Sequence, residues 1–243
     1  MSDLERELVK AIRHFWTVRE KQHHLQGRKS GRKDAGNRSA VTAGKHTDGF
    51  VRLIAKVIRD AGMPDSDIFV SNRTLPGYFR PSKDWDLIVK HQNDLIAVVE
   101  IKSQVGSFGN NFNNRAEEAL GSSTDFWAAY KYASFEPSAR PWLGYLIMLE
   151  DHPNSTRSSV LKTLPHYPIR GEFQNASYAK RYEILCERLV RERLYDGACF
   201  LMSSAAGGLR GKFLEPNAEL SFRNFAATLS ARVAAFVKIK ESS

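Results

Sequence analysis

Three charged side chains interrupt two of the most apolar stretches of the chain. Trp85-Asp86-Leu87-Ile88-Val89 and Ile96-Ala97-Val98-Val99-Glu100-Ile101-Lys102-Ser103 are rich in Val and Ile, and a short polar segment, Lys90 to Asp94, joins them. Such runs read as neighbouring strands of a buried or half-buried sheet, joined by a hairpin. Glu100 and Lys102 are two residues apart and on a strand share a face. Asp86, on the adjacent strand, can be brought beside them. Two carboxylates and an ammonium are costly to bury unless they pair or hold a cation. Asp-x13-Glu-x-Lys is also the arrangement that a Mg²⁺ site for phosphodiester hydrolysis needs. Carboxylate oxygens hold a hard cation that keeps several waters, and a nearby lysine positions and activates the attacking water. The bare spacing also arises by chance, because edge strands often alternate charge with apolar residues. A purely structural ion-pair cluster would look the same.

The surrounding elements tilt the balance toward chemistry. A turn-rich approach, Arg73 to Lys83 with Pro76-Gly77 and Pro81, leads to Asp86. After Lys102 comes an Asn/Gly-rich block, Gln104 to Asn114, and then a helix from about Asn114 to Tyr132 whose start can present amides, Asn114 and Arg115 to phosphate. Elsewhere, the capping box Ser2-Asp3-Leu4-Glu5 opens a helix running to about Gln22. A second helix, capped by Thr47 or Asp48, carries the stripe Val51, Ile54, Ile58, Ala61 and ends at Gly62 and Pro64. A short strand is expected at Ile68-Phe69-Val70, a strongly apolar one from Trp142 to Glu150, and another from Gly197 to Ser203. Ser177 caps a helix bearing Tyr178, Tyr182, Leu185 and Leu189. Ala205 to Gly211 reads as a flexible joint. A last helix, about 217–238, repeats Phe222, Phe225, Leu229, Val233 and Phe236, a stripe for a core or a dimer face. The fold class is therefore α/β, a mixed sheet flanked by helices, in a single domain over residues 1–243.

Composition narrows the classes. The 243-residue chain carries 36 Lys+Arg against 27 Asp+Glu, a net charge of +9, and its pI is near 9.6. Basic proteins of this kind are often polyanion binders. Positive charge concentrates in a loop at about 26–46, with Arg28, Lys29, Arg32 and Lys33 among its six basic residues and no periodicity. That loop is either a solvated segment or one that orders on a DNA backbone. No G-x-x-x-x-G-K-[ST] or G-x-G-x-x-G follows a strand, which argues against NTP hydrolysis and a Rossmann unit. Cys186 and Cys199 stand on a predicted helix and strand with no C-x-x-C, so they read as core residues of a cytosolic protein. No apolar run nears the ~20 residues of a membrane helix.

The approach and the Asn/Gly block are more specific than the charged triplet. Thr74-Leu75-Pro76-Gly77-Tyr78-Phe79-Arg80-Pro81-Ser82-Lys83-Asp84-Trp85-Asp86, Val99-Glu100-Ile101-Lys102-Ser103 and Ser107-Phe108-Gly109-Asn110-Asn111-Phe112-Asn113-Asn114-Arg115-Ala116-Glu117-Glu118-Ala119 resemble the XhoI family of type II restriction endonucleases. So do Asp48-Gly49-Phe50 upstream, and Ser177-Tyr178 with Arg181-Tyr182-Glu183 downstream. The resemblance implies a restriction-endonuclease-like core of the PD-(D/E)-x-K type, Mg²⁺ as cofactor, and a homodimer acting on double-stranded DNA. It further implies cleavage of the palindrome CTCGAG to leave 5′ overhangs, a methyltransferase protecting the same site without forming a stable complex, and the cytoplasm of a prokaryotic cell. Pro81 is not adjacent to Asp86, a departure from the literal motif. Asp84 is a rival acid two residues away; position in the apolar run and the resemblance favour Asp86. On this reading Asp86, Glu100 and the Ile101 carbonyl bind the metal, Lys102 orients and helps deprotonate the water and stabilises charge on the phosphoryl oxygens, and Asp48 is either an additional acid or a helix cap. Asn110, Asn111, Asn113, Asn114 and Arg115 are candidate DNA contacts, because amides and guanidinium groups read base edges; the alternative is a turn cluster satisfying its own backbone. Two rival functions stay open: a DNA-binding module with a structural ion-pair cluster, and a repair or junction nuclease on the same fold.

Overall fold

Alternation within the apolar runs builds a five-stranded mixed sheet covered on both faces. The computed structural model describes residues 2–27, 45–135, 139–159 and 164–241, without the side chains of residues 23–27 and 110. In chain order the elements are α1 (Asp3–Gly27), α2 (Asp48–Asp60), β1 (Ile68–Phe69), β2 (Thr74–Pro76), β3 (Ser82–Asp84), β4 (Leu87–His91), β5 (Asp94–Gln104), α3 (Phe108–Lys131), β6 (Trp142–Glu150), α4 (Pro153–Thr156), α5 (Tyr178–Arg191), β7 (Gly197–Ser203), α6 (Ala205–Leu209) and α7 (Phe222–Glu241). The main sheet runs β1-β4-β5-β6-β7 and β2-β3 form a separate ribbon. β4 lies antiparallel to β1 and β5; β5, β6 and β7 are parallel.

The period of two sorts each strand between two cores. Ala97, Val99, Ile101, Leu146, Met148, Cys199 and Leu201 face α1, α2 and α7. Val98, Leu143, Tyr145, Ile147, Ala198 and Phe200 face α3 and α5. Burial on both faces explains why the central strands read as nearly continuous hydrophobic runs. β6 and β7 have the boundaries predicted from sequence, and both cysteines are buried and free.

Several expectations are corrected. α1 continues past Gln22 to Gly27, since no breaker stands between. Residues 28–44, with Arg28, Lys29, Arg32 and Lys33 of the basic loop, lie outside the described residues. The turn-rich approach to Asp86 is itself a β ribbon, Thr74 opposite Asp84. α3 starts at Phe108, well before Asn114. Phe108 and Phe112, one turn apart, pack on Tyr178 and Tyr182 with ring centroids 6.4 and 5.1 Å apart. This burial overrides the poor helix propensity of Gly and Asn. Gly106 and Ser107, both at positive φ (64° and 45°), turn the chain from β5 into that helix. Ala205 to Gly211 is no flexible joint: Ser204 Oγ accepts the Gly207 N–H at 3.2 Å and caps α6, and Gly208 is buried against the Trp16 indole. α7 begins at Phe222, because Asn217 caps a separate 3₁₀ turn, Ala218–Leu220. Its stripe Phe222, Phe225, Leu229, Val233 and Phe236 is buried within the chain, which spends it on the core and removes it as a dimer face. Among the described residues no helix is long and apolar enough to cross a membrane.

Candidate active site

β5 is the strand that assembles the charged residues. Asp86 stands one residue before β4, where the ladder with β5 ends. Its N–H donates to the Val99 carbonyl at 3.1 Å, and its Oδ2 accepts the Ile101 N–H at 2.7 Å. Main chain and side chain therefore both fix it to β5. A strand residue sends its N–H and C=O to the same edge, so the Ile101 carbonyl emerges on Asp86's side, past the end of β4. Glu100 and Lys102 point to the α3/α5 face, and the Lys102 ammonium is hydrogen-bonded and ion-paired to Glu100 Oε1.

Glu100, only 2% exposed, has a second cation that the sequence reading missed. Lys83 Nζ, on β3, lies 3.0 Å from Oε2 and 3.1 Å from Oε1. The same ammonium sits 4.6 Å above the Trp85 ring. A signal for it existed: Lys83 and Trp85 are two apart on an extended segment, so a Trp turned inward takes Lys83 with it.

Electrostatics follow from this geometry. Burial first, and then the Glu100 charge, push the Asp86 carboxyl up to about 6, against the Ile101 N–H and the Lys102 and Arg73 charges that favour its ionised form. Burial works to lower the Lys102 ammonium, but the charge and hydrogen bond of Glu100 outweigh it and hold Lys102 above its ordinary value. Lys102 is therefore a firm cation and a hydrogen-bond donor.

The donor set fits a hard divalent cation that keeps most of its water. Glu100 Oε2 is buried without a hydrogen bond, Asp86 is a carboxylate whose ionised form wants stabilising, and the Ile101 carbonyl is free of the β4 ladder. Among the described residues no three His, Cys, Asp or Glu side chains gather into a closed metal cage. Two carboxylates and a carbonyl with open positions suit Mg²⁺ far better than a structural zinc.

The other predicted residues are distributed as follows. Asp48 is the exposed first residue of α2; Thr47 holds the N-cap position, but its side chain makes no capping bond. Asp48 and Asp86 line one cavity of about 400 Å³ together with Arg52 and Arg73, so the structure places the two acids on a common cleft. Asn111, Asn113, Asn114 and Arg115 occupy the first turns of α3 and are not an independent turn cluster. Asn113 and Asn114 are exposed, and Arg115 Nη1 pairs with Glu118 Oε2 at 2.5 Å. Asn110 is helical in its backbone; its side chain is outside the described residues. His46 was also missed. It is buried, its Nε2 is 2.9 Å from Ser103 Oγ, and burial first, then the charges of Arg19, Arg115 and His14, lower it to about 4. It is thus a neutral imidazole beside the strand that carries Lys102.

The chain is similar to known restriction enzymes. A family profile described as "Restriction endonuclease XhoI" matches residues 26–215, a span that includes Asp48, Lys83, Asp86, Glu100 and Lys102. The type II restriction enzyme BstVI of Geobacillus stearothermophilus is 47% identical over 218 residues, 87% of this chain and 97% of that protein. The type II restriction enzyme XhoI of Xanthomonas vasicola is 44% identical over 163 residues, 65% of each chain. AbrI of Azospirillum brasilense, also a type II restriction enzyme, is 44% identical over 170 residues, 69% of this chain and 75% of its own. No solved structure matches the chain.

Proposed function

Because the chain belongs to the XhoI restriction endonuclease family, we propose that it is a type II restriction endonuclease that hydrolyses double-stranded DNA with Mg²⁺. One observation carries the reading: the half-buried Asp86 and the buried Glu100 are joined through β5 to a firmly protonated Lys102. Asp86, Glu100 and the Ile101 carbonyl hold the cation, which when bound supplies Lewis-acid charge against the phosphoryl oxygens. Lys102 cannot take a proton while it is an ammonium. Its part is to donate hydrogen bonds that orient the attacking water and to stabilise charge on the phosphoryl oxygens. Water attacks phosphorus in line and gives up a proton to bulk water, the bond to the 3′ oxygen breaks, and that oxygen takes a proton from solvent, leaving 5′-phosphate and 3′-hydroxyl ends. The Asn-bearing start of α3 and the basic segment around Arg28 and Lys33 approach the DNA. Asp48 is an additional acid facing the same cleft.

By its family likeness the site is the palindrome CTCGAG, cut to leave 5′ overhangs. A two-fold site calls for a homodimer, each subunit cutting one strand. A methyltransferase acting on the same sequence protects the host genome without a stable complex, and the enzyme works in the cytoplasm of a prokaryotic cell.

A second reading deserves a test because Glu100 is fully ion-paired: the cluster could serve structure alone in a DNA-binding module. A plasmid carrying CTCGAG, incubated with Mg²⁺ or with EDTA, separates the two. The expected result is discrete fragments with Mg²⁺ only, and none from Glu100→Ala or Lys102→Ala although both still bind DNA. Undiminished cleavage by either variant, or no scission by the wild type, overturns the assignment.

A further inference from the structure

Lys83 is the group in this site that the cleavage chemistry leaves unused. Its side chain is only 12% exposed, and its ammonium spans both oxygens of Glu100 at 3.0 and 3.1 Å and also reaches the Asp84 carbonyl at 3.3 Å. Lys102 is paired with Oε1, and Lys83 stands 3.0 Å from Oε2, the oxygen without a hydrogen bond. A metal ion taking Glu100 through Oε2 meets that ammonium, and two cations cannot share one buried oxygen at contact distance. Lys83 also arrives on a different footing from Lys102. It comes from the β2-β3 ribbon, outside the main sheet, with the aromatic face of Trp85 beneath it.

We propose that Lys83 is a built-in counter-cation: it occupies the metal-binding side of Glu100 in the metal-free enzyme and is displaced when the divalent cation binds. The inference rests on the endonuclease reading above. It makes Lys83 a positioning residue with two opposed effects. Before loading it neutralises and orients Glu100, which otherwise would be a buried carboxylate with a single partner. During loading it competes with the metal, and once displaced its ammonium is free to meet a phosphate oxygen of the DNA.

The test uses the full chain without DNA. Mn²⁺ binding is followed by electron paramagnetic resonance for the wild type, Lys83→Met, Lys83→Gln and the charge-keeping Lys83→Arg. Removing a unit charge at contact distance from the bound cation should tighten Mn²⁺ by about tenfold in both neutral variants, while Lys83→Arg stays near the wild type. In cleavage assays the Mg²⁺ concentration for half-maximal rate should fall in the neutral variants while the maximal rate also falls, a split that loss of structure does not produce. Unchanged or weaker Mn²⁺ binding in the folded neutral variants overturns the inference, and so does failure of both to fold, which would make the ammonium a structural prop. The two levels separate cleanly. A wild type that cuts DNA while its Lys83 variants bind Mn²⁺ no more tightly defeats the counter-cation alone. A wild type that never cuts defeats the endonuclease reading whatever Lys83 does.

Discussion

Asp86→Asn should make the metal-free protein more stable at pH 8 while abolishing cleavage. The Asp86 carboxyl is pushed from an ordinary 3.8 up to about 6, chiefly by burial and then by the Glu100 charge. A folded-state value above the unfolded one means that the native state holds the extra proton. Stability from this group is therefore fully present below the ordinary carboxyl value and is lost as pH rises through about 6. The gap of about two units corresponds to roughly 3 kcal/mol of native-state penalty on the ionised form at pH 8. Asparagine removes that charge and keeps an acceptor for the Ile101 N–H. Its new amide N–H₂ must find partners, which takes back about 1 kcal/mol, leaving a gain of roughly 2 kcal/mol. For a chain of this length that is a rise in melting temperature of about 4–8 °C. Thermal melts in EDTA at pH 8 and near pH 4.5 read it directly. The gain should be present at pH 8 and largely gone at the lower pH, where the wild-type carboxyl is itself mostly protonated in the fold. Added Mg²⁺ should raise the wild-type melting temperature and leave the variant behind, since ligand binding to the native state adds stability by mass action. An Asp86→Asn protein that melts no higher than the wild type at pH 8, or gains equally at both pH values, would refute the account of Asp86 as an acid ionised against its surroundings.

Two further substitutions test the scaffold that holds the site. Gly208→Ala puts a methyl group into the Trp16 indole and beside Ser203 Oγ, the oxygen that accepts the Trp16 Nε1–H at 3.1 Å; overpacking of this kind should cost about 1–3 kcal/mol, read as a lower urea midpoint with unchanged slope and a shift in tryptophan emission. Asp125→Ala removes the buried acceptor of the Tyr78 and Phe79 N–H groups and the Arg80 Nε–H (2.9, 2.7 and 2.8 Å). With water able to rescue the exposed side of that turn, the expected loss is about 2 kcal/mol, with faster proteolysis at residues 77–81; equal protease resistance would show that the ribbon tip is held by other contacts.

The sheet was the most legible part of the chain because its information is local. β6 and β7 are bounded by turn residues and buried on both faces, so apolar content alone locates them. The same locality made Asp86, Glu100 and Lys102 visible, since a period of two places Glu100 beside Lys102 without any tertiary knowledge. What escaped was set at long range. α3 begins among Asn and Gly residues because Phe108 and Phe112 find Tyr178 and Tyr182, which lie some 70 residues further along the chain. Propensity read from neighbours cannot see that. α6 was read as a joint because its glycines suggest freedom, when Gly208 is there to let Trp16 approach. Lys83 reads as one more polar residue of a turn; its spacing from Trp85 is the local hint, and the pairing of the β2-β3 ribbon is what brings it to Glu100.

That missed lysine changes how the acids are to be understood. Asp86 and Glu100 contribute two formal negative charges, and Lys83 and Lys102 two positive ones. The cluster is neutral before any metal arrives. An uncompensated buried carboxylate would cost several kcal/mol, and this chain avoids that loss at Glu100 by surrounding it with ammonium groups. The arrangement that makes the metal-free fold tolerable is thus the one that catalysis must partly undo: a cation can take Glu100 only where an ammonium lets go. Asp86 accepts the Ile101 N–H and, among the described residues, has no ammonium paired to its carboxylate; burial first and then the Glu100 charge keep its ionised form disfavoured. The two acids therefore answer to different tests, Asp86 to pH and Glu100 to the charge on Lys83.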